Sequence, residues 1–511
     1  MSIKEVAVIG AGGLSGLAAV YELLHTDQAG NTTIGKGKAE TPAFTKIVGF
    51  EQKPDVGGTW NVENYESDPP MPPQEILDTG KYNDIKVIRP KNKHQPTVQE
   101  LENTSVDSPI IKSKDLTYLQ WKRSAIYPRL YTNTPESYLQ YSTTKTYKDA
   151  HKDLDPFVPH QSLFQRLQDF SNENKLKDYI RFNTEVVDAT KVGDKWVLTL
   201  RAYNETQDFW YQESFDGVIV AQGLFSVPFI PFYKGLSEYV AKYPGSVMHS
   251  KAYRDPKTFQ DKKVVIVGSN ISAIDIGQYI SPIAKETIIS RNLKNEPYLP
   301  YMARSIKSFQ NVSKIKEFLP DTKQILLEDG EVLSDVDNVI LCTGYHVKSL
   351  VFDDNTLEFS TPVDNDCPSS NSRVKNIYQH TFNIKDPSVA FVGRLVIASI
   401  FKAAEAESAA IAGVWSGASK LPPVEEQYAW EQARVEEAGD SLFHKDDIYR
   451  IKEKFFDEMK QFYPKGRPDP IGHDLDDIKI YERALETFES LFNEFKEKKK
   501  DVYYSFTEVS R

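Results

Sequence analysis

Two short segments carry glycines at spacings that suit a backbone wrapped around a diphosphate. The first is VAVIGAGGLSGLAA, residues 6–19, with Gly10, Gly12, Gly13 and Gly16 between a β-branched run and a helical one. A glycine turn that opens a helix brings backbone N–H groups and the positive end of the helix dipole up to a pyrophosphate. The G-x-G-x-x-G spacing is met in two imperfect ways. Gly10, Gly12 and Gly16 leave one residue too many before the last glycine, while Ala11, Gly13 and Gly16 keep the spacing with Ala in the first place. Either way the turn has to rearrange locally. Glu51 ends the next apolar run, Ile47 to Phe50, where a carboxylate accepts both ribose hydroxyls of an adenosine. Its distance from the loop exceeds the usual ~20 residues, and the polar stretch 26–43 accounts for the surplus. FEQKPDVGGTW follows, in which Gly57 and Gly58 allow close backbone approach, Thr59 is polar and Trp60 offers a flat apolar face. Together these residues predict an FAD site.

The second segment, KKVVIVGSNISAIDIGQYI at 262–280, repeats the design as G-x-N-x-x-A from Gly268 to Ala273, with Ser269 and Ser272 between. Asn270 stands where the central glycine belongs, and asparagine tolerates positive φ better than most residues, so a left-handed Asn270 is expected. Ala273 is small enough for helix-on-strand packing. The following run TIIS ends at Ser290 and Arg291. An acid there favours NAD, whereas an arginine pairs with a 2′-phosphate, so the prediction is NADPH.

The elements that must position these loops follow from periodicity. A strand at 5–9, a helix at 14–24 and a strand at 47–50 open one βαβ unit, and 262–290 forms another. Helical patterning at 160–176, β-like runs at 180–187, 195–203 and 216–221, a hairpin into a buried strand at 322–345, and a charged helical tail at 424–500 complete the reading. Residues 61–115 read as long surface loops, and the lysines at 496–500 as a solvated helix end. The expected fold is α/β: a discontinuous FAD-binding domain of 1–225 and 341–511, ending in a helical segment, with an inserted NADPH-binding domain of 226–340.

Composition narrows the function classes. The chain has 511 residues, a net charge of −11, and hydrophobic and charged fractions of 40% and 26%. An acidic chain disfavours nucleic acid and anionic membranes as partners. Lys4 before the uncharged run Val6–Tyr21 has the look of a signal peptide, but the glycine pattern explains that run better. No stretch reaches ~18 apolar residues, so no transmembrane segment is expected, and with no apolar C-terminal anchor a cytoplasmic location is expected. Cys342 and Cys367 are the only cysteines. They form no disulfide scaffold or metal cluster, and their spacing argues against a flavin-linked redox pair.

Five further strings occur in order: the E-x5-GG-x-W from Glu51 to Trp60, LYTNTP at 130–135, AQG at 221–223, YPGSVMHSKAY at 243–253 and CTGY at 342–345. In this the chain resembles the flavin-containing monooxygenases, particularly their shorter fungal members, from the N-terminus to about residue 420. Tyr253, where Baeyer–Villiger relatives carry Trp, argues against that branch. FKAAEAESAA at 401–410 lacks the Pro and Gln the family often has there. The resemblance places Gly223, Thr343 and Gly344 at interdomain strand ends beside the cofactors, and Thr132 and Asn133 beside the flavin. It implies that NADPH reduces the flavin at N5, that O2 adds at C4a as a hydroperoxide, and that a sulfur or nitrogen nucleophile takes the distal oxygen, small thiols included. Asn133 is the candidate catalytic residue, an uncharged donor to that adduct or to the nicotinamide ribose, with Thr132 fixing its loop. His249 and His160 read as structural. The competing expectations are an uncoupled NADPH oxidase releasing hydrogen peroxide and a cofactor-bound regulatory protein without turnover. A homodimer is possible on either reading, and no metal is expected.

Overall fold

The β-branched run Glu5–Ile9 is buried along nearly its whole length, which only a strand covered on both faces permits. In the computed structural model, which describes residues 3–145, 147, 153–297, 299–360, 372–446, 448–471 and 478–498, it lies inside a seven-stranded sheet. From one edge the order is Ile377–Tyr378, Phe382–Asn383, Val389–Phe391, Gly217–Val220, Glu5–Ile9, Lys46–Phe50 and Ile180–Arg181. The pairs from Val389–Phe391 across to Ile180–Arg181 are parallel. The chain leaves Glu5–Ile9 towards Lys46–Phe50 on one side, and Gly217–Val220 takes the other. The carboxyl end of the first strand is therefore a topological switch point, where α/β sheets bind ligands.

A second, five-stranded parallel sheet repeats this logic, in the order Gln310–Val312, Glu286–Ser290, Lys263–Val267, Asn338–Leu341 and Val247–His249. Its switch point is the carboxyl end of Lys263–Val267. The α/β class with two dinucleotide-type units is thus the observed one. The run Val6–Tyr21, weighed as a signal peptide, is spent on the first strand and the helix Leu14–Leu24.

Leu14–Leu24 packs its buried face, including Leu17 and Leu23, against the alanine-rich helix Ile400–Ser416. Each such leucine contributes about 1.5–3 kcal/mol on burial, and the alanines let the two helices approach closely. A buried ion triad pins the later chain to both helices. Arg467 donates to Glu22 at 2.7 Å and to Glu405 at 3.2 Å. The helix Ile478–Lys496 packs instead on Ile271–Ile280 and Pro300–Ile306 of the second unit, through Phe488, Phe492 and Phe495. Periodicity finds that helix but says nothing of which core receives it.

Two expectations need correcting. Residues 61–115 are not simply loops: they hold the short helices Gln74–Leu77, Ile85–Ile88 and Val98–Leu101 and the strand Ile110–Ser113. The strand Gln207–Phe215 is unforeseen because its polar and aromatic residues break the apolar alternation. It joins Ile110–Ser113, Lys195–Tyr203 and Thr184–Val192 in a four-stranded antiparallel sheet. That sheet matters to the site, since Thr184 donates its N–H to the Glu51 carbonyl at 2.9 Å and Asn183 to that of Lys53 at 3.0 Å. Cys367 lies outside the described residues, as do the last lysines of 496–500.

Candidate active site: two glycine loops on a double crossover

At the first switch point backbone bonds hold the start of the loop. Gly10 and Ala11 both donate to the Phe50 carbonyl, at 2.9 and 3.1 Å. Gly10 has φ +81°, and a Cβ there would meet the Ala221 oxygen at 2.8 Å. A Cβ on Gly16 would sit 2.4 Å from both the Gly10 oxygen and the Ala11 Cα. Gly10 and Gly16 therefore fill the first and third roles, and the surplus residue is absorbed between Gly12 and Gly13. Gly13 is the N-cap of Leu14–Leu24, with no side-chain cap and no acid in the first turn. That leaves the leading N–H groups available to an anion.

Glu51 lies against this loop. Its Oε2 accepts from Gly12 N–H at 3.1 Å and its Oε1 from Lys53 N–H at 2.9 Å. Burial pushes the carboxyl above the usual range, opposed by those bonds and by the Lys53 charge. Lys53, itself brought down to about 8 by burial, donates to the carbonyls of Gly58 and Asn61 at 2.8 and 2.7 Å. Gly57 donates to the Gly12 oxygen at 2.7 Å, so the GG-x-W turn backs the glycine loop directly. Thr59 accepts from the Ser124 hydroxyl at its carbonyl, and Trp60 is half-buried with its indole N–H unpartnered.

The second loop is built differently. Gly268, at φ +121°, is the residue in unusual backbone, and its Cβ would strike the Cys342 oxygen at 2.6 Å. Asn270 is extended, with φ −93°, and serves as N-cap of Ile271–Ile280 without a side-chain cap bond. The expected left-handed Asn270 is thus corrected: the tight turn falls on Gly268, so the loop does not need glycine at 270. Ala273 is fully buried and Ser269 and Ser272 are half-buried. Ser290 is buried and donates to the Ser313 carbonyl at 2.9 Å. Arg291 follows the strand as expected but is 7% exposed. It donates to Asn311 Oδ1 at 2.7 Å and the Asn295 carbonyl at 2.8 Å, and no carboxylate pairs with it among the described residues.

Both loops lie over the strand ends that cross between the sheets, Gly10 over Ala221 and Gly268 over Cys342. The two crossings run side by side. Phe229 N–H donates to the Gly344 oxygen at 2.9 Å, His346 N–H to Val227 at 2.9 Å, and the Thr343 hydroxyl to Phe229 at 2.5 Å. Gly223 has open space where a Cβ would point. His249 accepts from Lys251 N–H at Nδ1 and donates from Nε2 to the Gly344 oxygen at 3.0 Å. Burial depresses it to about 3, so it is a neutral pin for the crossover and not an acid–base group. His160 begins its helix against Tyr65, brought by burial to about 4.

Sequence reasoning missed two cations at the end of the 243–253 motif, one inside it and one just after. Lys251 is buried, pairs with Asp68 at 2.8 Å and donates to the carbonyls of Trp121 and Ser226. Arg254 donates to the carbonyls of Tyr65, Glu66 and Ser124. Together they clamp the linker to the loops around the first site. Their one sequence signal is a pair of cations flanking the aromatic that ends the motif.

The T-N-T-P loop stands apart from both glycine loops in its direct contacts. Thr132 is buried and donates to the Thr134 carbonyl while accepting from Val158 N–H, which fixes the turn. Asn133 is exposed at its tip. Tyr131 packs on Phe157, Phe488 and Phe495, and Tyr279 donates to the Arg129 carbonyl at 3.1 Å, so this loop is carried by the second unit's helices. Cys342 is buried and its thiol is pushed up to about 12, which removes thiolate redox chemistry from that residue.

Uncapped helix N-termini, glycines in backbone contact and the buried Glu51 fit two dinucleotides, one per switch point. Comparison with known proteins agrees. Residues 119–295 match the family described as flavin-binding monooxygenase-like. Flavin-containing monooxygenase ustF2 of Aspergillus flavus is 28% identical over 464 residues, covering 86% of this chain and 88% of its own. Trimethylamine monooxygenase of Pelagibacter is 28% identical over 238 residues, 47% of this chain and 50% of its own. The solved S-allyl-L-cysteine S-oxygenase of Allium sativum shares the fold, with a TM-score of 0.64 at 22% identity over 100% of this chain and 99% of its own. The chain is thus similar to flavin-containing monooxygenases over most of its length, and to the family model over residues 119–295. That similarity is to flavin-dependent oxidoreductases, and the two switch-point loops are where a flavin and a second dinucleotide would lie. Among the described residues no helix is long and apolar enough to cross a membrane.

Proposed function

We propose that the protein is an NADPH-dependent monooxygenase that transfers one oxygen atom of O2 to a soft sulfur or nitrogen nucleophile, small thiols included. The observation that carries this is the convergence of both uncapped glycine loops on the paired crossover. Residues 10–16, Glu51 and the Gly58–Trp60 turn would hold FAD, and residues 268–273 with Ser290 and Arg291 would hold NADPH. When bound, the two cofactors supply hydride and oxygen-transfer chemistry. The chain's own work is to orient them and to exclude water. Thr132 holds the Asn133 turn, and the Asn133 amide would donate a hydrogen bond towards the flavin while staying uncharged and non-acidic. The names of the trimethylamine and S-allyl-L-cysteine enzymes support nitrogen and sulfur as acceptor atoms.

The test is simultaneous measurement of NADPH oxidation and peroxide release. A yellow protein whose NADPH consumption rises with cysteamine or a thioether, without matching peroxide, is expected. Peroxide equal to NADPH consumed with every nucleophile makes it an oxidase, and colourless protein that binds NADPH alone a regulator. Asn133→Ala should keep its flavin and lose about 100- to 1,000-fold in coupled turnover, in line with removal of one such donor. Normal coupling in that variant removes Asn133 from the mechanism.

A further inference from the structure

The carboxyl edge of the first sheet carries a feature whose lining includes none of the residues assigned above to the two dinucleotides. A recess of about 40 Å³ opens there, and its lining includes Leu224, Val347, Arg394, Asp440, His444 and Lys445. Leu224 follows Gly223, and Arg394 lies just past the strand Val389–Phe391. One water needs roughly 10–15 Å³ of such space, so the recess holds a few waters or one carboxylate-sized group.

Its charges are unbalanced. Arg394 is 5% exposed, yet its guanidinium makes one hydrogen bond, to the Val347 carbonyl at 3.0 Å, and otherwise lies over the Phe391 ring. No carboxylate reaches ion-pair distance of it among the described residues. Lys445 is partly buried and likewise pairs with no acid among them, and burial lowers its pKa. Asp440, the acid in the lining, is engaged by Arg373 at 2.5 Å. His444 accepts from Val374 N–H at Nε2 and meets His380 at Nδ1, and burial keeps it neutral. Glu407, on the helix behind, accepts from Gly393 N–H at 2.6 Å and is pushed up to about 8 by burial. Its carboxyl and the Arg394 guanidinium act on each other's charge but do not reach ion-pair distance. Five guanidinium N–H donors, one of them used, border a mainly apolar-walled recess beside an unpaired lysine, and donors left free there call for an acceptor.

We propose that this recess binds one small anion, a carboxylate or an oxyanion of that size, between Arg394 and Lys445. The source is either the carboxylate of the nucleophilic substrate or a free anion. Only the substrate arm of the test rests on the monooxygenase reading; the binding arm stands without it.

The test uses the full-length, FAD-loaded protein titrated with sodium acetate and with sodium nitrate, with ionic strength held by the bulky HEPES anion. A saturable rise in melting temperature is expected with either probe. The apparent dissociation constant should rise about tenfold or more in Lys445→Gln, as for loss of a charge-assisted contact, and Arg394→Met should abolish saturation. If Arg394→Met does not fold, Lys445→Gln alone decides. Absence of a saturable response in the wild type, or an identical response in Lys445→Gln, overturns the proposal. Turnover then separates the two sources. If acetate competes with S-methylcysteine, and Lys445→Gln raises KM for it but not for dimethyl sulfide, the anion is the substrate's own carboxylate. If acetate binds and neither KM moves, the recess takes a free anion.

Discussion

The two glycine loops perform one task with different residues. In the first, Gly10, Gly12 and Gly16 each lie where a Cβ would enter the Ala221 carbonyl, the Glu51 carboxylate or the loop's own backbone. In the second, Gly268 alone carries the unusual φ, Asn270 is extended, and Ala273 meets the packing demand. The difference teaches that glycine is required by the neighbour a Cβ would strike, and not by its place in a spacing pattern. The supports also differ in charge. The first loop leans on a buried carboxylate; near the second, neutral His249 pins the crossover at Gly344 and Arg291 is held by amide and carbonyl oxygens.

Gly16→Val should have the largest effect. Its side chain would drive into backbone at 2.4 Å, and flavin retained after desalting should fall to background. Full flavin content in that variant would break the account of the first loop. Gly268→Ala should come next, since it combines φ +121° with the Cys342 oxygen at 2.6 Å. KM for NADPH should rise about 10- to 100-fold, equivalent to ~1.4–2.8 kcal/mol, with FAD content unchanged. Loss of FAD as well would mean the loops are not separate sites. Arg291→Ala should narrow the preference for NADPH over NADH by about tenfold or more, and an unchanged ratio would remove Arg291 from phosphate recognition.

The pH response separates the supports further. His249 is depressed from 6.5 to about 3 by burial. The unfolded chain therefore takes up a proton that the fold refuses, and stability present above pH 6.5 is lost as pH falls towards 3. His249→Gln should flatten urea midpoints over this range by up to one proton, about 1.4 kcal/mol per pH unit. An unchanged slope would show that His249 is not the neutral pin described. Glu51, raised by burial, has the opposite sign: its contribution falls as pH rises through its folded value. Asn270→Gly should have the smallest effect. Because residue 270 is extended, restoring the glycine relieves no strain, and KM for NADPH should stay within about twofold, a few tenths of a kcal/mol. A large gain would mean the loop does want positive φ there.

Much of this was legible in the sequence because it is local. A β-branched run entering a glycine turn before an apolar helix specifies a βαβ start, and both such units are in place. Glu51, Ala273, Ser290 and Arg291 fall at the strand and helix ends their spacing indicated, and His249 and His160 have the structural contacts expected of them. What sequence did not reveal depends on partners distant in the chain. The surplus glycine could be placed only once Gly57 was seen donating to Gly12. Asn270 was misjudged because the strain had already been taken by Gly268 against Cys342. The strand Gln207–Phe215 is held by pairing and not by apolar alternation, and the Lys251–Asp68 clamp joins residues far apart in sequence.

Anaerobic addition of NADPH to the desalted yellow protein tests the central claim most directly, because it requires both sites to be filled and to meet. The account predicts rapid bleaching of the flavin band by NADPH, slower bleaching by NADH, and slowed bleaching without flavin loss in Gly268→Ala. A protein that retains flavin but is not bleached by NADPH, or that retains no flavin after saturation with FAD, would contradict it.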